Sequence, residues 1–448
     1  MSLSLAPSLF LEVLMENLNE EKKIKAVVVG IELPGQTGTE ASIEELARLI
    51  DTAGGECFAA LTQNREAPDV RTYIGKGKME ELKEICKNND ISLVVFDCEL
   101  SPSQIRNVED ELDGPDVIDR SMLILDIFAL HAVTREGKLQ VELAQLSYTA
   151  PRLIGKGKDM SRLEGRIGTR GPGESKLETD RRHINRRKDA LRAELAEIEK
   201  NRLTMRKARD KNGIPKAAIA GYTNAGKSTL TNALCNSDIL AEDKLFATLD
   251  PTTRRFTLPD GSEMLLTDTV GFIRNLPHQL ISAFKSTLEE VKFADFIIIV
   301  IDASDPEAQN QTAVTENLLC ELKADDKPRI YVFNKIDACV EAPYIPSTAN
   351  KDGIYFCAVS ALNGTGLNEL SDILQTVVRN GKRDITLFFP YGKEADLNKL
   401  YSVTSVENVE YADEGTVVKL CADSKIIGMF EEYLSDESKK DVAVEDEW

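Results

Sequence analysis

The sequence predicts an α/β protein of several domains, and three observations support this fold class. The chain has 448 residues, enough for about three domains of ordinary size. Short apolar runs alternate with helical patterns over 25–96 and again over 216–381, which is typical of parallel sheets covered by helices. A long helical stretch separates the two regions, and a small mixed unit follows. We therefore expect an N-terminal parallel α/β sheet domain with a helical hairpin, a second α/β domain and a small C-terminal α/β domain.

The composition indicates a globular protein without a membrane span. Apolar residues make up 42% of the chain and charged residues 29%. The longest aliphatic and aromatic run, 296–301, is far shorter than the roughly 20 residues of a membrane helix. Glu12 interrupts the N-terminal apolar stretch, so we expect no signal peptide. The eight cysteines form no Cys-x-x-Cys pair, which indicates a reducing compartment. We expect a cytoplasmic monomer.

The N-terminal domain is predicted to cover residues 1–135. Ser42 and Glu45 have the spacing of a capping box, so a helix is predicted to begin at Ser42, and Gly54 and Gly55 would end it. Apolar runs before and after it alternate with further helical patterns. The predicted strands are 26–29, 57–61, 92–96 and 117–119, and the predicted helices are 42–53, 79–88 and 103–112.

A basic helical hairpin with a Gly-rich loop is predicted over 136–212. Helices are expected at about 121–148 and 177–211, and the second has apolar residues every seven positions, which suits packing against one partner helix. The loop between them, 150–176, contains eight glycines or prolines, and a loop of this length is usually functional or disordered. The residues expected to pack are Leu177, Ile184, Leu191, Ile198 and Met205 against Leu139, Leu143 and Leu146.

Two more domains and a tail are predicted after the hairpin. Asn212 and Gly213 break the helix, and the second α/β domain is expected over 213–382. A small C-terminal domain is expected over 383–434, followed by an acidic tail over 435–448. Its strands are predicted at 385–389, 406–411 and 416–421, and its helices at 394–401 and 425–433.

The second α/β domain contains a phosphate-binding motif. Residues 221–228 (GYTNAGKS) fit the pattern G-x-x-x-x-G-K-[ST], between an apolar strand at 217–220 and a helix at 229–236. The glycines let backbone N–H groups approach phosphate oxygens, and Lys227 supplies a positive charge for the β- and γ-phosphates. The hydroxyl of Ser228 is expected to bind Mg²⁺. A plain glycine-rich turn is the weaker interpretation in this context.

Three further motifs, in the expected order, specify the nucleotide. Asp268 and Gly271 belong to a D-x-x-G motif, in which the carboxylate can hold the Mg²⁺ shell and the glycine N–H can contact the γ-phosphate. Asp337 ends an N-K-x-D motif, and its carboxylate can accept two hydrogen bonds from guanine that adenine cannot supply. Ser360 and Ala361 suit a backbone contact to guanine O6. Together the motifs resemble P-loop GTPases, and we expect a P-loop GTPase domain that binds GTP and GDP.

The predicted site residues come from these four motifs and one switch segment. Lys227, Thr248 and Gly271 are the predicted catalytic residues, and Ser228 and Thr248 are the predicted metal ligands. The predicted GTP-binding residues are Gly221, Tyr222, Thr223, Asn224, Ala225, Gly226, Lys227, Ser228, Thr229, Asp268, Thr269, Val270, Gly271, Asn334, Lys335, Asp337, Ser360, Ala361 and Leu362.

Three positions near this site leave alternatives open. Thr248 is the expected switch threonine that coordinates Mg²⁺ in the GTP state, and Thr252 is a rival. Phe272 stands where many small GTPases have a glutamine that orients the attacking water. Either hydrolysis is weak until a partner completes the site, or Phe272 is simply an apolar anchor. Asn224 resembles an asparagine of GTPases that use K⁺ as an extra positive charge, but a loop-stabilising role fits equally well.

Positive charge is concentrated in the predicted hairpin. The chain has 55 Lys and Arg against 75 Asp and Glu, a formal charge of −20. Residues 152–211 alone contain 19 Lys and Arg against 10 Asp and Glu, a net charge of +9. A Gly-rich loop with interspersed arginines can follow RNA phosphates, although a solvated hairpin has a similar composition. The candidate RNA-binding residues are Arg170, Lys176, Arg181, Arg182, Arg186 and Arg187.

Several long and unusual strings of the chain are specific to one protein family. They are YIGKGK at 73–78, LSPSQ at 100–104, GKLQVELAQL at 137–146, GTRGPGE at 168–174, LETDRR at 177–182 and DTVGFIR at 268–274. With these strings the chain resembles the HflX family of bacterial GTPases over about 25–433. Arg166 stands where that family usually has glycine, and Ser175 and Lys176 replace the usual Thr-Gln, changes that keep or add positive charge.

The resemblance implies a ribosome-associated GTPase whose hairpin loop reaches the rRNA of the large ribosomal subunit. In its GTP state such a protein can dissociate ribosomes, often in stress recovery. Some members are also reported to hydrolyse ATP through the N-terminal domain, but this sequence shows no independent ATP motif there. Two alternatives stay open. One is a GTPase that assists ribosome assembly or tRNA modification, and the other is a GTP-gated interaction scaffold with hydrolysis as a timer.

Overall fold

The computed structural model describes three sheets and the helices that accompany them. Within the described part of the chain, no helix combines the length and apolar character that crossing a membrane requires. The described residues are 23–35, 38–153, 172–210, 214–235, 245–246, 252–274, 290–341, 353–379, 382–404, 406 and 408–435.

The N-terminal region forms a sheet of four parallel strands, as the alternating pattern predicts. The strands are β1 (Lys25–Glu32), β2 (Glu56–Asn64), β3 (Leu93–Phe96) and β4 (Asp116–Asp119), and the helices between them are α1 (Thr39–Thr52), α2 (Lys76–Asn89) and α3 (Pro102–Leu112). The strand order is β2-β1-β3-β4. Residues 26–31 of β1 are all buried, because this inner strand is covered on both faces, and a nearly unbroken apolar run is what such a strand requires.

Helix α1 begins three residues before the predicted start, and the capping role predicted for Ser42 is wrong. Gly38 is the N-cap, and Ser42 and Glu45 are both buried inside the helix. The guanidinium of Arg120 donates a hydrogen bond to Ser42 Oγ at 3.3 Å and forms an ion pair with Glu45. Glu45 does not serve the helix end because its carboxylate faces this buried cation.

The first helix of the hairpin region is divided, which corrects the single helix predicted over 121–148. Helix α4 (Arg120–His131) ends at Ala132, whose ψ of 109° is extended, and helix α5 (Arg135–Leu153) begins after Thr134. Thr134 Oγ1 accepts a hydrogen bond from the N–H of Gly137 at 3.0 Å, as an N-cap does. The β-branched Val133 and Thr134 favour this break.

The hairpin consists of α5 packed against the long helix α6 (Pro172–Asp210). Leu139, Leu146, Ile184 and Leu191 are buried in one cluster, with Leu143 and Ile198 at its margin, which confirms the predicted apolar face. Leu177 and Met205 lie outside the described side chains. Both ends of the predicted loop are helical, because α5 continues to Leu153 and α6 already begins at Pro172. The rest of that loop, 154–171, lies outside the described residues.

The second α/β region forms a six-stranded sheet in which only one edge strand is antiparallel. The strands are β5 (Lys216–Gly221), β6 (Thr252–Thr257), β7 (Glu263–Asp268), β8 (Phe296–Asp302), β9 (Arg329–Asn334) and β10 (Ile354–Ala358), and the helices are α7 (Lys227–Cys235), α8 (Glu290–Phe293), α9 (Ala308–Glu321) and α10 (Leu367–Arg379). The strand order is β10-β9-β8-β5-β7-β6. Because β5, β7, β9 and β10 are parallel, the four motifs that follow them meet at one edge of the sheet.

The C-terminal region forms a small antiparallel sheet in the order β11-β13-β12, with a core of its own. The predicted helix 425–433 is shorter here, because a separate 3₁₀ turn at Glu431–Tyr433 replaces its end. The elements are β11 (Lys382–Pro390), α11 (Glu394–Val403), β12 (Asn408–Ala412), β13 (Gly415–Asp423) and α12 (Ser424–Met429).

The two larger sheets share one hydrophobic core. Helix α4 is buried from Arg120 to Phe128, and its apolar residues join the same cluster as Ala218, Tyr222 and Phe272 of the second region. The rings of Phe128 and Phe246 meet edge to face with their centroids 4.6 Å apart. At this junction the buried Arg120 also pairs with two carboxylates, those of Glu45 and Asp97.

We expect Arg120→Met to lower the stability of the junction by about 3–5 kcal/mol, because it leaves two carboxylates buried without their cation. Arg135→Met is the matched control, since Arg135 and Glu194 form an exposed ion pair that contributes at most about 1 kcal/mol. Urea unfolding monitored by circular dichroism measures both variants. Equal midpoints for the two variants would contradict the structural role given to Arg120.

Candidate functional site

The loop between β5 and α7 approaches its neighbours too closely for side chains at its two glycines. Gly221 and Gly226 have φ angles of 150° and 89°. A Cβ on Gly221 would lie 2.3 Å from the carbonyl oxygen of Val300, and one on Gly226 would lie 2.2 Å from Asn334 Nδ2. Glycine is therefore required at both ends of the loop, where it lets the backbone pass close to its neighbours.

Lys227 and Asp268 form a buried pair of opposite charge beneath this loop. Lys227 Nζ donates a hydrogen bond to the carbonyl oxygen of Tyr222 at 2.7 Å. Burial lowers the pKa of Lys227 to about 8, although the charge of Asp268 opposes this shift. Burial also raises the pKa of Asp268, against the effects of Lys227 and of Ser228, whose Oγ donates to Asp268 Oδ2 at 2.8 Å. An anion bound here would offset the cost of burying the lysine charge.

Three buried side-chain oxygen atoms around Asp268 and the phosphate loop are of the kind that binds Mg²⁺. Asp268 Oδ1, Thr252 Oγ1 and Thr223 Oγ1 are buried, and none has a hydrogen-bond partner among the described residues. Thr252 is the first residue of β6 and lies directly across from Asp268 in the sheet. Carboxylate and hydroxyl oxygens are the ligands that Mg²⁺ prefers. Thr248, the other candidate switch threonine, lies outside the described residues.

The segment after β7 folds back onto the phosphate loop. The N–H of Phe272 donates to the carbonyl oxygen of Gly221 at 3.0 Å, and the N–H of Thr223 donates to the carbonyl oxygen of Phe272 at 2.8 Å. A Cβ on Gly271 would lie 2.9 Å from Lys227 Nζ, so this glycine stands directly beside the lysine ammonium. The Phe272 side chain is 1% exposed and belongs to the shared core. Its position is that of an apolar anchor.

The two remaining motifs form the far side of the pocket. Asn334 links them to the phosphate loop, because its Nδ2 donates to the carbonyl oxygen of Ala225 at 2.9 Å and its Oδ1 accepts from the N–H of Ala361 at 3.0 Å. Asp337 Oδ1 accepts a hydrogen bond from the hydroxyl of Ser360. Lys335 has a left-handed backbone (φ 61°), and its Nζ lies 2.7 Å from Asp302 Oδ2. The four motifs therefore meet in one site, as their order in the sequence predicts.

The predicted RNA-binding arginines differ in their surroundings. Arg181, Arg182 and Arg186 are exposed on α6. Arg187 instead forms a two-pronged ion pair with Glu142 of α5, with Nε and the terminal nitrogen each 2.7 Å from a carboxylate oxygen. Arg170 and the side chain of Lys176 lie outside the described part of the structure.

The contacts that connect this site to the N-terminal region were not predicted, although Tyr222 was expected to bind GTP and Glu45 to cap a helix. The hydroxyl of Tyr222, within the phosphate loop, donates to the carboxylate of Glu45 in α1, and the same hydroxyl accepts the N–H of Arg274 at 2.9 Å. Arg120 binds the other oxygen of Glu45. The one available sign was an arginine at the start of a largely apolar helix, where a buried partner of opposite charge is needed.

Comparison with known proteins agrees with this geometry. Three family models match in succession, described as GTP-binding GTPase N-terminal (40–129), GTP-binding GTPase Middle Region (131–209) and 50S ribosome-binding GTPase (216–335). The chain is 48% identical over 414 residues to GTPase HflX of Lacrimispora saccharolytica, covering 92% of this chain and 97% of that protein. It is 48% identical over 405 residues to GTPase HflX of Caldanaerobacter subterraneus subsp. tengcongensis, covering 90% and 92%.

Among solved structures, a GTP-binding protein of Sulfolobus solfataricus in complex with GDP is 26% identical. The match covers 80% of this chain and 99% of that one, with a TM-score of 0.42.

We expect Asp337→Asn to weaken GTP binding by about 100-fold or more, because the amide cannot accept both guanine hydrogen bonds. The variant should bind xanthosine triphosphate better than the unmodified protein does, since the asparagine NH₂ can donate to the xanthine 2-oxo group. Competition binding with a fluorescent guanine nucleotide measures both. Asp302→Asn, which alters the partner of Lys335 and Ser304 and leaves Asp337 in place, is the control and should keep the preference for guanine. An unchanged base preference in Asp337→Asn would contradict the assignment of this pocket to the base.

Proposed function

Because the chain belongs to the GTPase HflX family, whose members it resembles over nearly their whole length, we propose that its GTP cycle controls association with the large ribosomal subunit. Binding and hydrolysis of GTP follow from membership of the family. The main support for a ribosomal target is that one chain joins a GTP site to a hairpin with exposed arginines on α6. The family model described as 50S ribosome-binding GTPase matches residues 216–335, which contain the phosphate loop and the D-x-x-G motif of that site.

In this proposal the four motifs bind the nucleotide with the roles expected of P-loop GTPases. Lys227 neutralises charge on the β- and γ-phosphates, and the N–H of Gly271 donates to the γ-phosphate. Asp337, Ser360 and Ala361 select guanine. Ser228 and Asp268, whose oxygens fit the ion, hold Mg²⁺ together with Thr248. When bound, Mg²⁺ neutralises part of the phosphate charge.

The ribosome is proposed to stimulate hydrolysis. Phe272 is buried in the core and has no group that could orient a water molecule. The isolated chain should therefore turn over slowly, until contact with the large subunit orders the switch segments around the γ-phosphate. In the GTP state the bound protein dissociates the two ribosomal subunits, and hydrolysis permits its release.

The hairpin is the proposed RNA-binding element. Arg181, Arg182 and Arg186 lie exposed on α6, in the segment that carries a net charge of +9 within a chain of −20. Exposed arginines can pair with phosphates and stack on unpaired bases. Arg187 already binds Glu142 in two places, so its main contribution is expected to be holding α6 against α5.

We expect the protein to co-sediment with the large subunit when bound to a non-hydrolysable GTP analogue and to dissociate with GDP. Arg181→Ala/Arg186→Ala should weaken this binding and reduce the slope of log affinity against log salt by about one for each arginine that no longer pairs with a phosphate. Lys83→Ala/Lys87→Ala on α2 removes the same charge from exposed positions elsewhere and should bind normally. Gradient sedimentation at several salt concentrations provides the measurement.

Each other outcome of this experiment counts against the proposal. Absence of association in both nucleotide states would contradict a ribosomal target, and equal association in both would contradict control by GTP. Association only with precursor particles or tRNA would favour a GTPase of ribosome assembly or tRNA modification. Weakening by the α2 variant alone would place the RNA contact away from the hairpin.

We also propose that Asn224 supplies an oxygen ligand for K⁺ beside the phosphates. Asn224 has a left-handed backbone (φ 61°) within the phosphate loop. Hydrolysis should then be faster in KCl than in NaCl, and Asn224→Ala should remove this difference. Asn310→Ala, on α9 outside the loop, is the control and should keep it. Equal turnover of the unmodified protein in the two salts would contradict a role for K⁺.

A further inference from the structure

The backbone of Tyr222 contacts Lys227 in the nucleotide site, and its side chain contacts helix α1 of the N-terminal region. Its carbonyl oxygen accepts the hydrogen bond from Lys227 Nζ at 2.7 Å. Its ring is buried in the shared core, and its hydroxyl reaches the carboxylate of Glu45 in α1. No residue type other than tyrosine provides both a long apolar ring and a terminal donor at this position.

The same hydroxyl also holds the segment that follows the D-x-x-G glycine. It accepts the N–H of Arg274 at 2.9 Å, while Phe272 is bonded to the backbone of Gly221 and Thr223. Both anchored residues closely follow Gly271 in the chain, and a Cβ built on this glycine would lie 2.8 Å from Thr223 Cα and 2.9 Å from Lys227 Nζ. The Arg274 side chain is tied down as well, because its guanidinium lies 2.6 Å from Glu307 of the same domain.

On the other side of Tyr222, the position of Glu45 is fixed by charge. Arg120 is 2% exposed and binds Glu45 and Asp97, the latter at 2.7 Å. Burial alone would lower the pKa of Arg120, but the two carboxylates raise it, so the cation persists beside Glu45 and Asp97. Burial and the charge of Glu45 raise the pKa of Tyr222, so its hydroxyl remains a donor toward Glu45 and an acceptor toward Arg274.

We propose that Tyr222 is a positioning residue for GTP hydrolysis, through which Glu45 of α1 and Arg120 of α4 fix Gly271 and Arg274 against the phosphate loop. The proposal rests on the assignment of Lys227 and Gly271 to the phosphates. It makes the N-terminal domain part of the GTPase site in the isolated chain. It also predicts different effects on GTP and GDP. Only GTP has the γ-phosphate that Gly271 would contact, so loosening this segment should weaken the binding of GTP far more than the binding of GDP.

The test is Tyr222→Phe, which removes the hydroxyl and leaves the ring in the core. Because one hydrogen bond contributes roughly a factor of 3–10, we expect single-turnover hydrolysis and affinity for a non-hydrolysable GTP analogue each to fall by about 3–10-fold. GDP affinity should stay within about twofold of the unmodified value, since the bonds that Gly271 makes to the γ-phosphate are absent there. Stopped-flow binding and rapid-quench hydrolysis, without ribosomes, give these values.

Tyr331→Phe is the matched control. Its hydroxyl also donates to a glutamate, Glu316 at 2.6 Å, in the same domain but away from the phosphate loop. It should lose stability to a similar degree and keep both the hydrolysis rate and the ratio of GTP-analogue to GDP affinity. Glu45→Gln keeps an acceptor for the tyrosine and loses the charge, so it should have a smaller effect, and the double variant with Tyr222→Phe should be less than additive.

Several outcomes would overturn the proposal. Tyr222→Phe with unchanged hydrolysis and an unchanged affinity ratio would do so, as would a loss no greater than that of Tyr331→Phe. Equal weakening of GDP and the GTP analogue would indicate a purely structural role. Additive effects of Tyr222→Phe and Glu45→Gln would separate the tyrosine from the N-terminal sheet. If the unmodified chain failed to bind GTP, the site assignment itself would be wrong, which is a different result from any of these.

Discussion

The buried charge of Arg120 holds together the part of the N-terminal region that faces the phosphate loop. A guanidinium that is 2% exposed persists only beside carboxylates, and here Glu45 and Asp97 supply them from α1 and the end of β3. The three side chains come from segments far apart in sequence, so they fix α1, β3 and α4 relative to one another. Glu45 also faces Tyr222, and through this tyrosine the arrangement reaches the phosphate loop.

The nucleotide site depends on close contacts of the loop backbone with neighbouring residues. Gly221 and Gly226 allow the loop to contact Val300 and Asn334 directly, and Asn334 in turn connects the loop to Ala361 of the base pocket. The charge of Lys227 is only partly compensated by its neighbours, and its pKa of about 8 expresses the cost of burial. A site that buries a cation in this way is well suited to bind a polyanion such as GTP. Membership of the GTPase HflX family agrees with this interpretation of the geometry.

The sequence predicted what depends on local patterns and missed what depends on distant partners. The phosphate loop and the strands before Asp268 and Asn334 were predictable because fixed spacing and apolar runs determine them. The cap predicted at Ser42 was wrong, because a Ser-x-x-Glu pattern fits a capping box and also a buried polar face, and Arg120 lies 75 residues away from Glu45. The helix break at Thr134 was missed for a local reason, since helical patterns on both sides were joined into one helix and the cap that Thr134 forms with Gly137 was overlooked. The domain boundaries and the individual site residues remain predictions.

We expect the γ-phosphate of bound GTP to affect α1 of the N-terminal region through Tyr222 and Glu45. Hydrogen–deuterium exchange of α1 in the isolated protein tests this coupling, with GDP compared against a non-hydrolysable GTP analogue. Exchange in α1 should be slower with the analogue, together with slower exchange over 270–274. A change confined to 270–274 and the phosphate loop, with α1 identical in both states, would contradict it.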